Sequence, residues 1–136
     1  MPKRGQADFD KLFKIRPLVE MLNKRYAQCY QPHQKVAIDE SMVKFKGRSS
    51  MKQYMRDKPV KRGYKIWMLC DESAYNFEFQ IYTERLATEK SELGLGAREV
   101  TDLCEELYGK NRIVFVDNFF TSYDLFVLLK HFQFER

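Results

Sequence analysis

The sequence contains 136 residues, of which 44% are hydrophobic and 15% aromatic, enough to bury the core of a single domain. Its 24 Lys and Arg residues exceed its 19 Asp and Glu residues, so the net charge is +5. We expect no membrane-spanning helix, because every apolar run is far shorter than the roughly 20 residues that a span needs. We expect no secretory signal, because charged residues and not an apolar stretch follow Lys3 and Arg4. Three cysteines without a C-x-x-C motif and only two histidines argue against a disulfide framework and against a zinc site.

The N-terminal third predicts a helix followed by a strand. Pro17 suits a first helical turn, and apolar residues at helical spacing continue from it to Cys29. We also expect a short helical turn near Phe9–Phe13 and a strand over Val36–Phe45. One face of the helix would carry Leu18, Val19, Leu22, Tyr26 and Cys29.

The middle of the chain predicts two strands joined as a hairpin. Lys65–Asp71 contains the pattern of a buried strand, and apolar residues alternate with polar ones through Phe77–Ile81. The connection Glu72–Tyr75 is short enough for a β-hairpin. The segment after it, Glu84–Gly96, is interpreted as a loop.

The last part predicts a helix, a short strand and a second helix. Val100–Leu107 has helical spacing, and Gly109 suits the position that ends a helix. Ile113–Val116 is typical of a parallel strand that is buried on both faces. The pattern Thr121-x-x-Asp124 resembles a capping box and predicts the start of the final helix. The apolar side of that helix would carry Leu125, Leu128, Leu129 and Phe132.

This order of elements favours an α/β fold in which helices flank a mixed sheet. Residues 1–34 would form a helical lead-in segment, and residues 35–136 would form the sheet domain. A polar and basic stretch without periodicity is interpreted as a loop inserted at residues 44–65.

Two aspartates are candidates for chemistry. Asp39 lies inside a strand pattern, where Asp is uncommon, and Asp117 directly follows the apolar run Ile113–Val116. If the two strands are adjacent, both carboxylates could bind a divalent cation such as Mg²⁺, and two such metals can drive phosphodiester chemistry. The alternative is that Asp117 caps the next turn and Asp39 is a solvated edge residue.

The inserted segment at residues 44–65 is strongly basic. It carries nine basic residues and one acidic residue, Asp57, so its net charge is +8 and that of the rest of the chain is −3. Such segregation is typical of proteins that bind nucleic-acid phosphates, although a solvated charged loop is the alternative. The candidate DNA-binding residues are Lys44, Lys46, Arg48, Lys52, Arg56, Lys58, Lys61, Arg62 and Lys65.

Four ordered blocks of the sequence resemble the catalytic domain of piggyBac transposases and of the domesticated proteins related to them. They are Ile-Asp-Glu-Ser-Met at 38–42, Phe-Lys-Gly-Arg at 45–48, Lys-Pro-x-Lys-x-Gly-x-Lys at 58–65 and Val-Asp-Asn-Phe-Phe-Thr-Ser at 116–122. The upstream stretch Phe13–Leu18 is similar to the same family. The resemblance therefore runs from about Asp8 to Leu129.

The resemblance implies an RNase H-like fold with three aspartates that hold two Mg²⁺ or Mn²⁺ ions. Asp39 matches the first of these aspartates and Asp117 the second, so both are expected to be catalytic and to bind metal. The implied activity is metal-dependent hydrolysis and strand transfer of DNA phosphodiesters, acting on transposon ends and on TTAA target sites. Work on chromosomal DNA implies residence in the nucleus.

The resemblance also implies that these residues form only part of the catalytic domain. The third aspartate and a fifth core strand of the family lie further along than residue 136, and Asp124 is too close to Asp117 to replace that aspartate. We therefore expect an inactive fragment of a transposase. An uncovered apolar edge at Ile113–Val116 would favour self-association into a homo-oligomer.

Two other interpretations stay open on the sequence. The chain could be a domesticated, non-catalytic DNA-binding protein in which the basic segment matters and the carboxylates are relics. It could also be a structural or interaction domain with no DNA role. Metal dependence distinguishes an enzyme from the first of these, and salt-dependent DNA affinity distinguishes both from the second.

Overall fold

The computed structural model describes residues 10–83 and 95–131. None of the helices in these residues is long and apolar enough to cross a membrane. In chain order the elements are α1 (Arg16–Cys29), β1 (Lys35–Lys44), β2 (Gln53–Tyr54), β3 (Arg62–Asp71), β4 (Asn76–Ile81), α2 (Leu95–Cys104), a 3₁₀ helix (Glu105–Leu107), β5 (Ile113–Phe115) and α3 (Tyr123–His131).

The strands form one mixed sheet with β1 between β3 and β5. β1 pairs antiparallel with β3 over residues 36–44 and parallel with β5 over residues 35–37. β2 and β4 pair antiparallel with the beginning and the end of β3. A mixed sheet flanked by helices confirms the predicted α/β class, and the antiparallel β3–β4 pair confirms the predicted hairpin.

The hydrophobic core lies between one face of the sheet and helices α2 and α3. Alternate residues of each strand share a face, so Val36 and Ile38 of β1 lie beside Trp67 and Leu69 of β3. All four side chains are almost fully buried. The helices contribute Ala97, Val100, Leu103, Cys104, Leu125 and Leu129 to the same cluster.

Helix α1 packs against β4 and satisfies backbone groups on its outer side. The Asn23 side-chain amide donates to the Phe79 carbonyl at 2.9 Å, and its oxygen accepts from the Phe79 backbone N–H at 3.1 Å. The Tyr26 ring lies beside the Phe79 ring, with the centroids 6.3 Å apart. Asn23 thereby covers part of a strand edge that would otherwise present open hydrogen-bonding groups.

The predicted helix is confirmed, but its buried face is rotated from the one expected. Val19 is buried, whereas Leu18 is 52% exposed and Cys29 is exposed. The contacts with the sheet continue from Val19 through Asn23 and Tyr26, which follow at helical spacing. A search for apolar residues alone misses this face because one of its central members is an asparagine.

The basic segment is shorter as a loop than expected. β1 extends to Lys44 and β3 begins at Arg62, so the prediction of one loop over residues 44–65 is wrong at both ends. The two residues of β2 also pair with Arg62 and Gly63. These strand ends carry exposed polar side chains, so the period-two pattern that identifies a half-buried strand is absent there.

Strand β5 is parallel to β1 as predicted, but it is not buried on both faces. Ile113 and Val114 are half-buried and Phe115 is 53% exposed. The reason is that Phe115 lies opposite Ala37, on the face of the sheet away from α2 and α3.

The final helix begins one residue later than the capping-box pattern indicates. The Leu125 N–H donates to Ser122 Oγ at 3.2 Å, so Ser122 caps α3. The Thr121 hydroxyl instead donates to the Asp117 carbonyl at 2.9 Å. Leu125 and Leu129 are buried as expected.

Gly109 and the segments at Glu84–Gly96 and Phe132 carry the remaining structural predictions. Gly109 has a φ of 72°, which confirms that it ends the helical segment in the left-handed conformation. Most of the predicted loop at Glu84–Gly96 and the predicted contact of Phe132 lie outside the described residues. The self-association expected from an uncovered β5 edge stays a prediction.

A buried aspartate ties the start of β1 to the β3–β4 turn. The Asp71 carboxylate accepts hydrogen bonds from the Tyr30 hydroxyl at 2.7 Å, the His33 backbone N–H at 3.1 Å, and the Ser73 hydroxyl and N–H at 2.6 and 2.9 Å. Burial by itself would raise the pKa of Asp71, but these hydrogen bonds outweigh it and hold the pKa well below its usual range.

We expect Asp71→Asn to lower the free energy of unfolding by about 1–3 kcal/mol, because an amide cannot accept all four hydrogen bonds. The carboxylate stabilises the fold fully above its unfolded pKa of about 4, and this contribution is lost as the pH falls through its depressed folded pKa. Urea unfolding between pH 2 and pH 7 measures both effects. An equal loss of stability with acid in the two proteins would contradict this role.

Glu78 of β4 is a half-buried acid that faces other acids. Burial, followed by the charges of Glu106, Glu105 and Asp102, raises the pKa of Glu78 to about 7. A raised carboxyl pKa means that ionisation destabilises the fold. Stability is therefore lost as the pH rises from about 4.5 towards and through 7.

We expect Glu78→Gln to be more stable than the original protein at pH 8, by about 1–2 kcal/mol after allowance for solvent screening. At pH 4 both side chains are uncharged and the difference should vanish. Thermal melts at the two pH values measure the effect. A gain of the same size at pH 4 would show that packing rather than charge is responsible.

Candidate metal centre

The parallel pairing of β1 with β5 brings the two predicted aspartates together. Ala37 lies opposite Phe115 in the pairing register. Asp39 follows Ala37 by two residues and Asp117 follows Phe115 by two, so the two aspartates stand at equivalent positions on neighbouring segments of the backbone. The structure thus places the two predicted aspartates in one cluster.

The cluster contains a third carboxylate, Glu40, that the sequence analysis did not select. One carboxylate oxygen each of Asp39, Glu40 and Asp117 lies within 4.8 Å of the others. The Asp39 side chain is 70% exposed and that of Glu40 is 12% exposed. Adjacent residues of a strand point to opposite faces, so sequence reasoning separates Asp39 from Glu40. The sequence signal that could have identified Glu40 is an acid on the same face of β1 as the core residues Val36 and Ile38.

Backbone hydrogen bonds orient two of these carboxylates. Asp39 Oδ1 accepts from the Glu40 N–H at 2.7 Å, which folds the Asp39 side chain along its own strand. Asp117 Oδ1 accepts from the Phe119 N–H at 2.9 Å. The Asp117 carbonyl accepts from the Phe120 N–H at 3.2 Å and from the Thr121 hydroxyl. The turn after β5 is therefore held in one conformation.

Helix α2 packs closely against the same turn. A Cβ atom added at Gly96 would lie 3.0 Å from both the Phe119 carbonyl oxygen and the Phe120 Cα. Phe120 itself is buried, with its ring 5.0 Å from that of Trp67. The glycine allows this approach, so the core fixes the backbone on which Asp117 is placed.

Lys58 lies against the carboxylates. Its ammonium group is 3.2 Å from Glu40 Oε1 and 3.8 Å from Asp39 Oδ1, and it donates to the Glu40 carbonyl at 3.4 Å. Burial lowers the pKa of Lys58, but the hydrogen bond to Glu40 and the surrounding carboxylates outweigh it, and the pKa is raised. The charge of Lys58 thus offsets part of the negative charge of the cluster.

A second lysine, Lys65, lies over aromatic rings beside the cluster. Its ammonium group is 3.8 Å from the centroid of the Trp67 ring, 5.2 Å from that of Phe119 and 5.7 Å from that of Tyr82. Such contacts stabilise a cation by attraction to the ring faces. Burial lowers the pKa of Lys65, and the nearby carboxylates of Glu40 and Asp117 raise it by less, so the pKa is lowered overall.

Five other predicted DNA-binding residues line one groove, which lies where β1 ends and β3 begins. The groove has a volume of about 580 Å³. Tyr54 is 61% exposed, and the Arg62 guanidinium lies 5.3 Å from the centre of its ring. Arg48 and Arg56 are exposed outside the groove. DNA contact by these residues stays a prediction. The groove is lined by Lys44, Phe45, Lys46, Lys52, Tyr54, Pro59, Val60, Lys61 and Arg62.

The three carboxylates fit a hard divalent cation. Mg²⁺ and Mn²⁺ prefer carboxylate oxygens and keep several water ligands, which suits a cluster that is largely open to solvent. One carboxylate oxygen of each residue lies within 4.8 Å of the other two, so a single ion could contact more than one of the three carboxylates. The ammonium group of Lys58 shows that a cation is favourable at this position.

Comparison with known proteins shows similarity to transposases and to proteins derived from them. The family model described as "Transposase IS4" matches residues 2–135. The human "PiggyBac transposable element-derived protein 3" is 37% identical over 118 residues, which cover 83% of this chain and 20% of that protein. The human "PiggyBac transposable element-derived protein 2" is 30% identical over 125 residues, which cover 89% of this chain and 21% of that protein.

A solved structure agrees with these sequence matches. A chain from the cryo-EM structure of the piggyBac transposase synaptic complex with hairpin DNA superposes with a TM-score of 0.82 at 30% identity. The match covers 91% of this chain and 27% of that chain. The sequence thus spans about a fifth of the length of the curated relatives and about a quarter of the solved chain.

Proposed function

The chain belongs to the piggyBac-type transposase family, and we propose that it forms part of a catalytic domain that acts on DNA phosphodiesters with a divalent metal ion. The observation that carries this proposal is that one carboxylate oxygen each of Asp39, Glu40 and Asp117 lies within 4.8 Å of the others, where β1 passes the turn that follows β5. The sequence pattern predicts both aspartates independently of this geometry.

Asp39 and Asp117 would hold Mg²⁺ or Mn²⁺, with Glu40 as an additional oxygen donor. When bound, the metal would polarise a phosphodiester and activate the attacking oxygen. The residues of this chain provide the fixed geometry, since backbone N–H groups orient both aspartates and Phe120 anchors the turn in the core. By family membership we propose that cleavage also needs a third aspartate, while Asp39, Glu40 and Asp117 provide the metal-binding carboxylates of the described residues.

DNA is the proposed partner, and the solved relative is a complex with hairpin DNA. Five cationic side chains and two aromatic ones line a groove in which no acidic residue takes part. Such a surface suits the phosphates of a DNA strand. By family membership we propose transposon ends and TTAA sites as the DNA and the nucleus as the location.

A second candidate function is non-catalytic DNA binding by a domesticated transposase. The same groove favours it, because phosphate binding there needs neither Asp39 nor Asp117. The two functions differ in metal dependence: binding through the groove persists in EDTA, whereas the role of the carboxylates requires the metal.

Metal binding to the carboxylates is tested by melting the protein with increasing Mn²⁺. A ligand that binds only the folded state stabilises it, by about 1.4 kcal/mol at ten times Kd, which raises Tm by a few degrees. We expect Asp117→Asn to abolish most of this shift. Asp102→Asn on α2, an exposed aspartate outside the cluster, should keep it. Equal shifts in all three proteins would place the metal elsewhere.

DNA binding through the groove is tested by the salt dependence of affinity for a short duplex in EDTA. Each lost phosphate contact should reduce the slope of log K against log [salt] by about 0.9. We expect that reduction for Lys61→Gln and for Lys44→Gln. Lys110→Gln, an exposed lysine beyond α2, is the matched control. Unchanged slopes in both groove variants would exclude the groove as the binding surface.

A further inference from the structure

The ammonium group of Lys58 lies against the carboxylates that are proposed to hold the metal. It contacts two of the three candidate ligands, at 3.2 Å from Glu40 Oε1 and 3.8 Å from Asp39 Oδ1. It also donates to the Glu40 carbonyl at 3.4 Å.

The loop that carries Lys58 is anchored at its base, but the side chain can leave. The Met55 N–H donates to the Lys61 carbonyl at 2.9 Å, which closes the loop between β2 and β3. Four rotatable methylene groups separate the Lys58 ammonium from this backbone. Its side chain is 30% exposed, so rotation towards solvent needs no rearrangement of the sheet.

The charge balance explains why the lysine is there. Three carboxylates within 4.8 Å repel one another, and a cation among them removes part of that repulsion. A lysine ammonium and a divalent metal both supply positive charge to the same oxygens. They cannot occupy the same contacts at once, and they repel each other when close.

We propose that Lys58 is an internal counterion of the carboxylate cluster that a divalent metal must displace from Asp39 and Glu40. This proposal rests on the proposed metal site and adds its regulation. Without metal, Lys58 holds the acidic residues together. With metal, the ammonium group is released towards solvent. The lysine thus sets a threshold for metal occupancy by competing for the same oxygen atoms.

The first test compares Mn²⁺ affinity by calorimetry for the original protein, Lys58→Met, Lys58→Gln and Lys61→Met. Removing the competing charge should lower Kd by about 3- to 10-fold in both Lys58 variants. Lys61→Met removes an exposed lysine from the same loop and should change Kd less than twofold. An unchanged or raised Kd in folded Lys58 variants would overturn the proposal.

The second test uses only the original protein, so it does not require the Lys58 variants to fold. Lysine acylation is followed by mass spectrometry with and without saturating Mn²⁺. We expect acylation of Lys58 to rise several-fold when Mn²⁺ is added, while that of Lys61 stays constant. Equal acylation of Lys58 in both conditions would overturn the proposal.

The two proposals fail in different ways. If neither the original protein nor the Lys58 variants bind Mn²⁺, the proposed metal site is wrong and the counterion role falls with it. If the original protein binds Mn²⁺ and the Lys58 variants bind it equally, only the counterion role is wrong. Binding detected in the Lys58 variants alone would support the competition in its strongest form.

Discussion

The parallel pairing of β1 with β5 is the constraint on which the candidate site depends. Three residue pairs set the register of two strands that are far apart in sequence. That register places Asp39 and Asp117 at matching positions, and a slip of one residue would send one of them to the other face. The core under these strands, with Trp67 and Phe120 almost fully buried, therefore maintains the geometry of the carboxylates.

Much of the fold could be predicted because its elements carry strong local patterns. The alternation in β4 and the spacing in α3 both identified elements that the structure contains. Asp39 and Asp117 could be chosen because an acid is unusual in a strand and conspicuous after an apolar run. The predicted strand boundaries were wrong where side chains are exposed, as at Arg62, the first residue of β3. Exposed strand ends have no hydrophobic pattern that could identify them.

The remaining parts of the site arise from contacts between segments distant in sequence. Glu40 joins the cluster although strand geometry points it away from Asp39. Lys58 belonged to a run of similar basic residues, and only the folded loop distinguishes it by placing it against acids. Lys65 lies over Trp67 and not in the groove. Charge in a sequence identifies a basic segment, whereas the fold decides which of its residues lie in the groove, at the carboxylates, over aromatic rings or in solvent.

Two groups of acids near β1 show how the same residue type serves structure in one place and binding in another. Asp71 is buried, and four hydrogen-bond donors satisfy its oxygens. That arrangement lowers its pKa and leaves little capacity for a further partner. Asp39 and Asp117 each accept one backbone hydrogen bond and stay exposed, so they retain oxygen lone pairs for an added cation. A structural carboxylate therefore differs from a metal ligand less in its charge than in how many hydrogen bonds its oxygens already accept.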